Sequence, residues 1–148
     1  MTEVKYEIST DKARMNVDLI HDFLSQSYWS KGIPRETVLA AIEHSLCFGI
    51  FANDEQLGFA RVITDYTTFG YLADVFIVEE ARGKGLGKKL IESILAYPSL
   101  QGLRRWTLGT RDAHGLYAQF GFVAADASRE MVKRNFTSYE NLSKASDD

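Results

Sequence analysis

The chain has 148 residues, 45% hydrophobic and 25% charged, a composition and length that fit one globular domain with a core of its own. Seventeen Lys and Arg against 20 Asp and Glu give a net charge of −3, so the overall field gives no reason to expect nucleic acid as a partner and slightly favours cationic ones. The single cysteine, Cys47, excludes an intrachain disulfide, Met1 to Thr10 is too polar for a signal peptide, and no apolar run approaches membrane-spanning length; a cytoplasmic location without membrane contact is expected.

In chain order, Val4 to Ser9 alternates apolar and polar residues and predicts a first strand. Asn16 is placed to cap a helix with Leu19, Ile20, Phe23 and Leu24 on its apolar face, and Pro34 to start a second helix buried through Val38, Leu39 and Ile42. Between them Tyr28 to Gly32 forms an aromatic loop. Leu46 to Ala52 and Leu57 to Thr64 predict a hairpin turning through Asn53, Asp54, Glu55 and Gln56. Tyr71 to Val78 is nearly continuously apolar, as expected of a central strand, with one charge, Asp74, inside it. A helix then carries Leu86, Leu90, Ile91, Ile94 and Leu95 at helical spacing. Arg105 to Gly109 predicts a fifth strand, and Asp112 is placed to cap a short helix from Ala113 to Phe120 that Gly121 terminates. Phe122 and Val123 start another strand, continued near Met131 to Phe136, and the tail 143–148 reads as disordered.

The chemistry concentrates between the Tyr71–Val78 strand and the following helix. Gly83, Gly85 and Gly87 let the backbone approach a ligand while the first N–H groups of the helix lack intrahelical partners. The helix dipole, with Arg82, Lys84, Lys88 and Lys89 around it, suits a phosphate or pyrophosphate; Lys84 and Lys88 either screen that anion or are solvated. Two common phosphate loops are excluded by spacing. A Walker A loop needs a glycine where Arg82 stands, and a dinucleotide fingerprint needs its third glycine at Lys88 or Leu90.

What remains is Arg82, two residues, Gly85, one residue, Gly87, after an apolar strand and opening a helix. This resembles the coenzyme A loop of the GNAT superfamily of N-acetyltransferases, whose signature is Arg or Gln, two residues, Gly, one residue, then Gly or Ala. Leu116 to Phe122 is similar to the family's second cofactor segment, with Tyr117 preceding the Gly121–Phe122 pair. The resemblance spans Leu46 to Val123 and fits the N-terminal part more loosely. It implies an α/β fold of the α+β type: a mixed, mostly antiparallel central sheet flanked by helices, within one domain over residues 1–142. In such a fold the Tyr71–Val78 and Arg105–Gly109 strands are a splayed parallel pair at the cofactor site. It further implies acetyl-CoA as co-substrate, contacted by Phe76, Ile77 and Val78 and by Arg82, Gly83, Lys84, Gly85, Leu86, Gly87 and Lys88. The helix pair helps to form the acceptor site, so Tyr28 and Trp29 either line it or pack under their loop.

Direct acetyl transfer to an amine, which the resemblance implies, sets three requirements. An ammonium of pKa near ~10 must lose a proton before it attacks. The carbonyl oxygen needs a preplaced N–H donor, which a bulge around Asp74 to Ile77 is expected to supply. The departing thiolate needs a proton, and Tyr117 occupies the matching position, unless it serves only the helix face beside Phe120. For the base, Asp74 is one candidate, since a carboxylate inside an apolar strand gains basicity; the competing reading pairs it structurally with Arg61 or Arg105. His114 is the second candidate, or else a surface residue. Cys47, inside an apolar strand, is read as structural rather than as a nucleophile served by His44 or His114. His21, His44 and His114 are widely separated, so no metal is expected. The acceptor, a small molecule or a peptide amine, stays open between polyamine, amino acid, aminoglycoside and protein amine, as does the choice of monomer or homodimer. A coenzyme A-binding module without transfer activity is the alternative.

Overall fold

The computed structural model describes residues 4–140. One five-stranded sheet runs in the order β1 (Tyr6–Ser9), β2 (Leu46–Ala52), β3 (Glu55–Thr64), β4 (Phe69–Ile77) and β5 (Arg105–Leu108). The first four strands pair antiparallel, and β4 pairs parallel with β5. Helices α1 (Val17–Gln26) and α2 (Arg35–Glu43) lie between β1 and β2, α3 (Leu86–Leu95) crosses from β4 to β5, and α4 (His114–Ala118) follows β5. This is the mixed, helix-flanked sheet that the sequence resemblance implies.

The alternation of strand side chains divides the core into two layers. Ile20 and Leu24 of α1 and Val38 and Ile42 of α2 pack on Cys47, Phe51, Phe59 and Phe76 on one face of the sheet. Leu90, Ile91 and Ile94 of α3 pack on Phe48, Ala60, Val62 and Leu72 on the other. Leu72 and Phe76 are four residues apart on one strand, and a regular period of two would set them on the same face. They serve opposite faces because β4 bulges between them: Phe59 pairs with Phe76 and Arg61 with Ala73, so Asp74 and Val75 together oppose Ala60. Asp74 takes the left-handed conformation at φ +56°, one that Asp tolerates better than most residues.

Local chemistry explains the element boundaries. Asn16 Oδ1 accepts from the Leu19 N–H at 3.0 Å, which caps α1. Asp65 closes the β3–β4 connection by accepting from the N–H groups of Thr67, Thr68 and Phe69 and from the Thr68 hydroxyl; these bonds, the Thr68 hydroxyl foremost, hold its carboxyl well below the usual carboxylate range.

Several expectations are corrected. The hairpin turn is shorter than the polar run: β3 begins at Glu55, and Gln56 is buried at 4% exposure. Gln56 tolerates burial because its amide is satisfied, accepting from Asn16 N–H at 2.7 Å and donating to the Gly58 carbonyl at 3.0 Å. Leu39 is exposed, since α2 needs only Val38 and Ile42, one turn apart, to cover the sheet. Asp112 caps nothing; Thr110 Oγ1 accepts from the Ala113 N–H at 3.0 Å instead, and α4 is shorter than expected. Residues 122–123 and 131–136 form no strand, and Val123, Met131 and Val132 are exposed. The apolar residues there are too few and too interrupted by Lys133, Arg134 and Asn135 to cover another sheet face. The expected tail 143–148 lies outside the described residues.

Candidate active site

β4 and β5 stay paired only from Phe69 with Arg105 to Leu72 with Leu108. Beyond Leu72 the strands part: β4 continues through the bulge to Ile77, while the chain after β5 turns away through Gly109 and Thr110. The opening between them is a groove of about 980 Å³, walled by Ala73 to Ile77 on one side and by Leu108 to Ala113, Leu116 and Tyr117 on the other. The bulge leaves backbone polar groups outside the ladder in that wall, where a ligand can use them.

At one end of the groove lies the glycine-rich turn. Gly83 and Gly85 have φ of +81° and +76°, a region where a side chain is strained, and a Cβ at either would meet nothing within 4 Å. Gly85 is the N-cap of α3, whose first turn carries no acidic residue, so the helix opens toward the turn with unpartnered N–H groups and its positive dipole end. Arg82 lines the groove and donates from Nε to the Ile77 carbonyl at 3.2 Å. Lys84 and Lys88 are exposed and form no ion pair among the described residues, while Lys89 lies 5.9 Å over the Tyr6 ring, away from the turn. A pyrophosphate fits this donor set. Leu86 and Phe76 have buried side chains: Leu86 packs with Ile50 and Ala81, and Phe76 stacks on Phe23 at 3.9 Å between centroids.

At the other end the loop after α1 is fastened across the sheet. Trp29 Nε1–H donates to Asp74 Oδ1 at 2.9 Å, and Arg61 Nε–H donates to Asp74 Oδ2, also at 2.9 Å. Arg61 reaches further to Ser45 Oγ at 3.1 Å. Of the two partners the sequence suggested for Asp74, Arg61 is the one in contact; Arg105 instead pairs with Glu130. Tyr28 meets Trp29 edge-on at 5.0 Å, its hydroxyl accepts from the Arg111 backbone N–H at 3.2 Å, and the Arg111 guanidinium stacks 3.9 Å above its ring. Tyr28 and Trp29 are about half exposed and line the groove.

Tyr117 lines the same groove from α4, buried at 8% exposure, with its ring edge-on to Phe122 at 5.8 Å. Burial, with a smaller contribution from Tyr28, pushes its hydroxyl up to about 12, so it stays protonated throughout the neutral range. His114, three residues earlier, is exposed and is not among the residues that line the groove. The structure therefore brings together Tyr117, Asp74, Tyr28, Trp29 and the glycine-rich turn, and leaves His114 outside. Cys47 lies deep under α2, its thiol donating weakly to the Ile42 and Ser45 carbonyls; burial pushes it up to about 11, which suppresses the thiolate a nucleophile needs. Among the described residues no cluster of His, Cys, Asp or Glu could hold a metal, and no helix is long and apolar enough to cross a membrane.

Sequence reasoning did not single out Arg111 and Arg134 as groove residues. For Arg61 and Asp74 the signal was two opposite charges set in apolar neighbouring strands. Arg111 and Arg134 sit in irregular segments where spacing carries no such information.

A mixed sheet whose one parallel pair splays beside a glycine-rich helix start is the architecture that the sequence resemblance implies. Residues 16–122 match the model of the Acetyltransferase (GNAT) family. A candidate acetyltransferase of Gibberella zeae is 33% identical over 141 residues, covering 80% of this chain and 78% of that protein. A crystal structure of a GNAT-family protein from Xanthomonas campestris pv. campestris is 48% identical and superposes with a TM-score of 0.86, covering 90% of this chain and 94% of that one. A Clostridium acetobutylicum structure determined with acetyl-CoA shares the fold at 13% identity and a TM-score of 0.63, covering 88% and 96% of the two chains. The chain belongs to the GNAT acetyltransferase family, whose reaction is acetyl transfer from acetyl-CoA, and it is an acetyl-CoA-dependent N-acetyltransferase.

Proposed function

We propose that the chain transfers the acetyl group of acetyl-CoA directly to a primary amine held in the aromatic half of the groove, with Tyr117 protonating the departing thiolate. The observation that carries this reading is a buried, un-ionised tyrosine hydroxyl in the same groove as the β4 bulge. Bound acetyl-CoA supplies the activated thioester. The N–H groups from Gly83 to Lys88 and the Arg82 guanidinium hold its pyrophosphate at the start of α3, and the backbone of Phe76, Ile77 and Val78 aligns its arm along β4. The bulge at Asp74 and Val75 offers an N–H to the carbonyl oxygen as negative charge gathers there. Trp29 and Tyr28 flank the acceptor.

In the transfer, the acceptor nitrogen forms a bond to the acetyl carbon as the carbon–sulfur bond breaks. Water in the groove takes one proton from the ammonium before attack and a second from the same nitrogen as the amide forms, while sulfur takes the proton of Tyr117, which solvent then restores. Asp74 has a positioning role, because both its oxygens already accept from Trp29 and Arg61. His114, exposed outside the groove, has no part. Family membership, with Tyr117 in the groove, favours transfer over coenzyme A binding alone.

Tyr117→Phe tests this. It removes one hydroxyl and keeps the ring contact with Phe122, so thiol release should fall by roughly 10²- to 10⁴-fold while acetyl-CoA affinity, read by calorimetry, stays unchanged. Unaltered turnover in Tyr117→Phe would remove its acid role.

A further inference from the structure

The groove carries more positive charge than the chain's net −3 foretells. Arg61, Arg82, Arg111 and Arg134 line it against two carboxylates, Asp74 and Asp112. Arg61 and Asp74 satisfy each other at 2.9 Å, and Arg82 sits at the glycine-rich turn. That leaves Arg111 and Arg134 against Asp112. Neither arginine forms an ion pair among the described residues. Arg111 is also held in place, since stacking on Tyr28 occupies one face of its guanidinium and leaves the N–H edge available. A guanidinium fixed on an aromatic ring in a walled groove is suited to a planar or tetrahedral oxyanion.

We propose that the acceptor is an amphoteric amine, whose carboxylate or phosphate binds Arg111 and Arg134 while its amino group reaches toward Tyr117 in the same groove. This rests on the acetyl-transfer reading and narrows it: polyamines and aminoglycosides, cationic throughout, meet two unpaired arginines and are disfavoured, whereas an amino acid or a phosphorylated amine is recognised at both ends.

The test uses matched probes that differ only in the acid: standard L-amino acids against their carboxamides, and phosphoethanolamine against ethanolamine, with spermidine as the cationic control. Thiol release from acetyl-CoA is measured for each, and binding of each probe to the protein alone is measured by calorimetry. An acidic probe should exceed its neutral partner by roughly tenfold or more in kcat/KM, chiefly through KM, the scale of a charge-assisted hydrogen bond in a solvated site. Added salt should weaken that advantage. Arg134→Gln and Arg111→Gln should each erase most of the preference without changing the KM for acetyl-CoA, and Arg134→Glu should turn it toward spermidine. Whether the carboxylate or the phosphate pair shows the larger ratio tells which acid the site takes. Neutral amines or spermidine used as well as the acidic probes, a preference that survives both glutamine variants, or acidic probes that neither bind nor react would overturn the proposal while leaving acetyl transfer intact. A protein that melts at the same temperature with and without acetyl-CoA would overturn both readings.

Discussion

Asp74→Asn separates the positioning role of Asp74 from a role as proton acceptor. The substitution preserves shape, and asparagine tolerates the φ of +56° at this position at least as well as aspartate, so the bulge itself is not strained. What changes is the pairing. One amide oxygen can still accept from Trp29 or Arg61, but the amide NH₂ then faces the other donor. If Trp29 keeps the oxygen, Arg61 retains only Ser45 Oγ at 3.1 Å as a partner. Removing one member of a fully buried ion pair costs about 3–5 kcal/mol. The side chains here are 17% and 10% exposed and border a groove that water can enter, so about 2–3 kcal/mol is the reasonable discount. For a chain of this length that is a fall of about 5–10 °C in melting temperature. With Trp29 or Arg61 loosened, the KM for the amine should rise several-fold while kcat stays within a few-fold. Thermal melting, urea titration and steady-state kinetics on one preparation read all three quantities. The double variant Arg61→Met with Asp74→Asn should recover part of the stability, since no uncompensated charge remains. Native stability in Asp74→Asn together with a kcat reduced a hundredfold or more would refute the reasoning and make Asp74 the proton acceptor.

Two further outcomes follow from the same geometry. Burial raises Cys47 from 9.0 to about 11 and Tyr117 from 10.0 to about 12. The unfolded chain therefore gives up these protons first; the stability is fully present below pH ~9 and is lost as pH climbs toward ~12, by up to about 3 kcal/mol per group. The urea midpoint should drop between pH 9 and 11, and less so in Cys47→Ala compared with its own value at pH 8; a flat midpoint would contradict the buried thiol. Gly85→Ala places a methyl group where nothing lies within 4 Å, so the fold should lose only the cost of the left-handed backbone, about 1–2 kcal/mol. The rise in melting temperature with acetyl-CoA should shrink much more. An undiminished rise would place the pyrophosphate away from this turn.

How much of this was legible depended on whether the information was local. Helix α3 was readable because Leu86, Leu90, Ile91 and Ile94 repeat at the helical period and all prove buried. The Asn16 cap was readable because a cap is a contact across three residues. The turn at Asn53 was misjudged because polarity stood in for exposure, whereas Gln56 is polar and buried on the strength of two hydrogen bonds, one of them to a residue 40 positions away. Asp112 looked like a cap from position alone, yet Thr110 was better placed. A C-terminal strand was expected from scattered apolar residues, without any way to see that they had no sheet face left to cover.

By itself the sequence determined the order of the five strands and four helices, the glycine-rich turn after the Asp74 strand, and the family those features signify, because each is set by spacing along the chain. Tertiary structure alone decided which charges pair and which stay free. Asp74 is engaged because the bulge carries its carboxylate to Arg61 and to Trp29, 45 residues away, and Arg111 is presented because Tyr28, 83 residues distant, lies beneath it. Such contacts depend on where the fold brings distant segments together, and no local periodicity encodes that.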